Sequence, residues 1–76
     1  MIKIRKLSEL KAGEEGQVTK LLINGSMRRR LLDIGLSPGT AVSCIGKSPF
    51  GDPAAYLVRG SAVAIRKKDA DCVIIE

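Results

Sequence analysis

The sequence predicts a mainly β fold, a small barrel or sandwich of about five antiparallel strands with one short α-helix. Three observations carry this reading. Turn signals recur at short intervals: Ala12-Gly13, Asn24-Gly25, Ser37-Pro38-Gly39, Ser48-Pro49, Gly51-Asp52-Pro53 and Arg59-Gly60-Ser61. The runs between them alternate with the period of a strand: Val42 with Cys44, Tyr56 with Val58, Val63 with Ile65, and Val73 with Ile75. A single segment breaks that period and takes helical spacing, with Met27, Leu31 and Ile34 on one face.

Taken in order, Ile2 to Arg5 could add a short edge strand, and residues 7–12 form one irregular turn. Strands are expected at 16–23, 41–48, 54–59, 62–66 and 72–76. Their second faces carry Ala41, Ile45, Leu57, Ala64 and Ile74, more apolar surface than a barrel exterior needs, which points to cover by the helix or by a partner. The helix is expected near residues 27–34. Ser26 is a plausible N-cap, Gly35 a plausible left-handed residue after the last turn, and Pro38 lies just beyond. Arg28, Arg29 and Arg30 in the first turn and Asp33 in the last oppose the helix dipole, and about eight residues are too few for a stable isolated helix. It must be pinned through Met27, Leu31, Leu32 and Ile34. The arginines either serve function or pair with nearby acids such as Asp33 or Asp52.

Composition narrows the function. Seventy-six residues make one small domain, with 45% hydrophobic and 28% charged residues and 21 Leu, Ile and Val. That argues against disorder. The longest apolar run, Ala54 to Val58, is far short of a membrane span, and early lysines and arginines break up any secretory core. The net charge of +5 resides wholly in residues 1–30, which hold eight bases against three acids. Such a bias suits an acidic partner surface, a nucleic acid or an anionic bilayer, or merely a solvated face.

No catalytic constellation is visible. Histidine is absent, and so are the phosphate-binding glycine loop and the CxxC spacing. Glu14 and Glu15 sit in a solvated turn between Gly13 and Gly16. Asp69 and Asp71 can share a strand face but are balanced by Lys67 and Lys68. Cys44 and Cys72 read as reduced thiols in the core or at its margin, so no metal, cofactor or enzymatic activity is expected. A nucleic-acid groove would want stacked aromatics, and only Phe50 and Tyr56 exist. The same poverty argues against capture of proline-rich peptides.

Residues 29–39, Arg-Arg-Leu-Leu-Asp-Ile-Gly-Leu-Ser-Pro-Gly, resemble the ferrous iron transport protein A family. So do the opening Leu7-Ser8-Glu9-Leu10-Lys11-Ala12-Gly13, then Pro49-Phe50-Gly51-Asp52-Pro53, Val58-Arg59-Gly60 and Val63-Ala64-Ile65-Arg66. The resemblance covers nearly the whole chain and rests on the order and spacing of its motifs. It implies a single SH3-like barrel over residues 1–76. It further implies a cytoplasmic, non-enzymatic accessory of bacterial ferrous-iron uptake that binds the cytoplasmic side of the ferrous-iron permease, protein B, and influences its GTP-binding domain. The alternatives are a basic barrel that binds nucleic acid and a metal-responsive regulatory domain, since the same domain is found appended to such repressors. Residue type nominates a contact surface: Phe50 and Leu36 for apolar contact, Arg28 and Arg29 for steering toward an acidic face, and Arg59 as a further exposed cation. Phe50 capping one end of the barrel is the competing expectation.

Overall fold

The structure, a computed structural model, describes residues 4–76. Six strands form one strongly bent antiparallel sheet: β1 (Arg5–Lys6), β2 (Glu15–Leu21), β3 (Ala41–Lys47), β4 (Ala54–Val58), β5 (Ser61–Ile65) and β6 (Val73–Ile75). A 3-10 turn, Leu7–Glu9, follows β1. Helix α1, Gly25–Ile34, joins β2 to β3, and a single helical turn α2, Lys67–Ala70, joins β5 to β6. The order across the sheet is β1-β6-β2-β3-β4-β5.

Strand β2 makes the bend. Its first residues pair with β3, Glu15 opposite Ser43 and Gln17 opposite Ala41. Its later residues pair with β6, Val18 opposite Ile75 and Leu21 opposite Val73. The register shifts between Val18 and Lys20, and the Thr19 hydroxyl donates to the Ile74 carbonyl at 3.0 Å. A bulge of this kind turns a strand sharply enough to serve two sheets. Strands β3, β4 and β5 form a meander closed at one end by a six-residue loop, 48–53, and at the other by a two-residue turn.

The inward faces form one core. Val18, Val42, Cys44, Tyr56, Val58, Ile65, Val73 and Ile75 come from the strands, with Leu7 and Leu10 from the 3-10 segment, Leu31 and Leu36 from the helical segment, and Ala70 from α2. This matches the alternation read from the sequence. The outward apolar set fares differently by region. Ile74 is buried, while Ile45 and Leu57 on the outer face of β3 and β4 stay about half exposed. Helix α1 packs elsewhere and leaves that face open.

Five strands fall where the sequence places them, within one or two residues. The expected edge strand over residues 2–5 appears as β1 at Arg5–Lys6, and residues 2 and 3 lie outside those described. The helix begins two residues earlier than expected, with Asn24 rather than Ser26 at the N-cap and no side-chain capping bond. Asp69 and Asp71 do not share a strand face. Asp69 lies in α2, where a four-residue turn is too short to show helical periodicity, and Asp71 follows it.

Candidate functional site

The segment after α1 decides the position of Leu36. Gly35 adopts the left-handed conformation, φ 118°, and its N–H donates to the Leu32 carbonyl at 3.0 Å. The Leu36 N–H donates to the Leu31 carbonyl, also at 3.0 Å. This is the paired bonding of a Schellman ending, in which the residue after the glycine turns back onto the helix and packs against the residue five positions earlier. Leu36 and Leu31 are both fully buried. Leu36 therefore offers no apolar contact to a partner, a correction to its expected role. The signal was present in Gly35 itself, because a left-handed glycine followed by leucine implies that inward contact.

Phe50 takes the opposite course. Its loop is closed on itself: the Gly51 N–H donates to the Ser48 carbonyl at 2.8 Å, and the Ser48 N–H to the Pro53 carbonyl at 3.1 Å. With Pro49 ahead of it and Gly51 at φ 83° behind, the phenyl ring is carried outward, 95% exposed. It does not cap the barrel. The loop is tied to α2 through Asp52, whose Oδ1 accepts the Lys67 N–H at 2.9 Å.

Arg28 and Arg29 project into solvent from α1, beside a shallow depression that also includes Gly25, Leu32 and Asp33. Neither forms an ion pair among the described residues. Among the described residues the salt bridges are Arg5–Glu14 at 3.6 Å and Lys67–Asp71 at 3.3 Å. The expectation that the three arginines pair with Asp33 or Asp52 fails, because Asp52 is engaged with the backbone of α2.

Arg59 and Gly60 form the two-residue turn between β4 and β5, both with positive φ, 52° and 81°. That is the turn whose twist matches a hairpin, and Asn or Gly usually fills its first position. Arginine there costs on the order of 1 kcal/mol of backbone strain. Its side-chain stem explains part of the placement. A Cβ built on Gly35 would lie 3.1 Å from Arg59 Cδ and 3.1 Å from Val58 Cγ1, so the arginine stem lies across the end of α1. A cation there complements the negative end of the helix.

The structure thus separates the nominated residues. Phe50 and Arg59 lie at opposite ends of β4, whose five residues span about 13 Å at ~3.3 Å per residue. Pro53, which ends the Phe50 loop, and Arg30, which follows Arg28 and Arg29, line one groove.

The ionisable groups are braces. The Asp71 carboxylate is held below its ordinary range first by the Ser8 hydroxyl, which donates to it, and then by Lys67. Glu14 is lowered first by the Lys11 N–H, at 2.7 Å, and then by Arg5. Both are ionised at neutral pH and neither is poised to donate a proton. Burial pushes the Tyr56 phenol up to about 12, helped by the charges of Cys44, Asp52 and Asp71. Cys44 is buried, and Cys72 is half-buried with its thiol toward the Lys68 carbonyl at 3.6 Å. Among the described residues no cluster of three or more Cys, Asp and Glu could hold a metal ion, and no helix is long and apolar enough to cross a membrane.

Comparison with known proteins gives a consistent result. The model of the FeoA domain matches residues 5–76. A Porphyromonas gingivalis protein, an Fe(2+) transport protein A/Fe(2+) transporter FeoB fusion, is 28% identical over 71 residues; the match covers 93% of this chain and only 8% of that protein. The solution structure of a FeoA-like protein from Clostridium acetobutylicum superposes with a TM-score of 0.90 at 32% identity, covering 100% of this chain and 88% of that one. Stenotrophomonas maltophilia FeoA complexed with zinc, described as a procaryotic SH3 domain protein, superposes with a TM-score of 0.83 at 28% identity, over 95% of this chain and 89% of that one.

Proposed function

The chain belongs to the FeoA domain family, and from that membership we propose that it is a non-enzymatic accessory of ferrous-iron uptake. In this reading it binds the cytoplasmic side of a FeoB-type permease and modulates the permease's GTP-binding domain. The observation that supports it most is the relative in which a transport protein A unit and a FeoB transporter share one polypeptide. Covalent linkage holds two units at roughly millimolar effective concentration.

The surface proposed for that contact is Phe50 with Arg28 and Arg29. A fully exposed aromatic on a self-closed loop is a suitable anchor, and unpaired arginines can steer it toward an acidic face. Arg59, at the far end of β4, is proposed only as an outlying cation.

The test is a titration of the chain against the purified permease in bilayer discs, with GTP hydrolysis measured alongside. Phe50→Ala should weaken binding by ~1–3 kcal/mol while leaving the melting temperature in place. Reversing Arg28 and Arg29 to Glu should slow association, and added salt should shrink that difference. If both variants bind like the parent at low salt, the proposed surface is wrong. An unchanged hydrolysis rate at saturating chain would refute modulation of the GTP-binding domain.

A further inference from the structure

Strand β5 ends the sheet, and among the described residues its outer edge is unpaired. In its two-residue hairpin with β4, Ser61, Val63 and Ile65 turn their backbone groups toward Val58, Tyr56 and Ala54. Ala62 and Ala64 turn theirs away. Among the described residues nothing pairs with the backbone of Ala62 or Ala64. Free edges of this sort are usually blunted by a lysine, a proline or a bulge within the strand. Ser61–Ile65 contains none of these.

Beside that edge runs a groove of about 330 Å³. Helix α1 forms one wall, with Met27 and Ile34 contributing apolar surface, and Ala64 and Ile65 belong to the other. Arg30, Arg66 and Lys68 stand around it against a single acid, Asp69. None of these four side chains takes part in an ion pair among the described residues. A helix beside an open strand edge is the arrangement that accepts an added strand, where backbone bonds supply affinity and flanking pockets supply selectivity.

We propose that this groove receives an extended acidic segment of another protein, which adds to β5 as a seventh strand. The backbone of Ala62 and Ala64 bonds the incoming chain. Side chains on its inner face rest on Met27 and Ile34, and its carboxylates meet Arg30, Arg66 and Lys68. The excess of cations over Asp69 selects an acidic segment over a basic one. This inference stands on the edge and groove alone; the end of the Phe50 loop, Pro53, borders the groove, but Phe50 itself takes no part in it.

The experiment uses the full chain, labelled with nitrogen-15, and three end-blocked hexapeptides. One alternates valine with glutamate, the second valine with lysine, and the third repeats the first with a central proline. At saturation the glutamate peptide should slow hydrogen exchange at the Ala62 and Ala64 amides by about tenfold or more, as pairing a free edge does. The lysine and proline peptides should not. Arg66→Glu combined with Lys68→Glu should weaken the glutamate peptide by about tenfold at low salt, with the loss shrinking as salt rises. Arg30→Glu provides an independent check, with circular dichroism confirming that each variant folds. Equal binding of the lysine or proline peptide would overturn the proposal, as would unchanged exchange at Ala62 and Ala64. Concentration-dependent protection of those amides without peptide would assign the edge to a second copy of this chain and also overturn it.

Discussion

The segments 35–40 and 48–53 look alike in the sequence and behave in opposite ways. Each is a glycine- and proline-bearing connection carrying one large apolar residue, Leu36 in the first and Phe50 in the second. Leu36 is fully buried and Phe50 is 95% exposed. The difference lies in where the chain reverses. After α1 the reversal comes immediately, at Gly35, and the hydrogen bonds of the helix end throw the next side chain back onto Leu31. In 48–53 the reversal is closed by the loop's own backbone, and the ring is left in solvent. An apolar residue in a loop is thus assigned to core or surface by the hydrogen bonds around it rather than by its own hydrophobicity.

Substitution can break or sharpen that contrast. The largest effect is expected at Leu36: Leu36→Ala should destabilise by roughly 2–5 kcal/mol in chemical denaturation, by loss of burial and the cavity left behind. Gly35→Ala should cost roughly 1–3 kcal/mol, because φ 118° strains any side chain and the new methyl meets Arg59 and Val58 at 3.1 Å. A small or stabilising change there would mean that Leu36 reaches the core without the helix ending described.

Tyr56 reports on the same core from β4. Its phenol is raised from 10.0 to about 12, so folding favours the neutral form. The associated stability is complete below pH 10 and is lost as pH rises through about 12. Tyr56→Phe should remove that alkaline decline from the denaturation midpoint. By ultraviolet titration, Leu36→Ala should bring the phenol back toward 10, whereas Phe50→Ala should leave it in place. The smallest effect belongs to Phe50→Ala itself, within about 0.5 kcal/mol of the parent in stability. A loss like that of Leu36→Ala would erase the contrast.

Much of the fold was legible because its signals are local. Each turn carries its own Gly or Pro, and each strand its own alternation, so five strands and α1 could be placed from neighbouring residues alone. The sharing of β2 between two partners could not be seen, since it depends on Val18 meeting Ile75 and Glu15 meeting Ser43. Turn α2 escaped because four residues hold too little periodicity. Of the contact residues, Phe50 admits both an exposed and a barrel-capping position from sequence alone, because nothing local to it fixes where the ring turns. Leu36 reads as a surface residue from its place in a connection, and only the helix-end bond to the Leu31 carbonyl carries it inward. The groove beside β5 had no signal in one dimension, for its walls come from residues 27–34 and 64–69.

The position of β6 also bears on how the chain reaches this fold. Strands β3, β4 and β5 are neighbours in sequence, joined by connections of six and two residues. Strand β6 sits between β1 and β2, and its pairing of Ile75 with Arg5 and with Val18 encloses most of the polypeptide. Such long closures carry the greater entropic cost and slow folding relative to local hairpins. The meander should therefore assemble early, with β6 acting as the latch that draws the opening strands into the barrel. Mutations in β4 should chiefly slow refolding, and mutations in β6 should chiefly hasten unfolding.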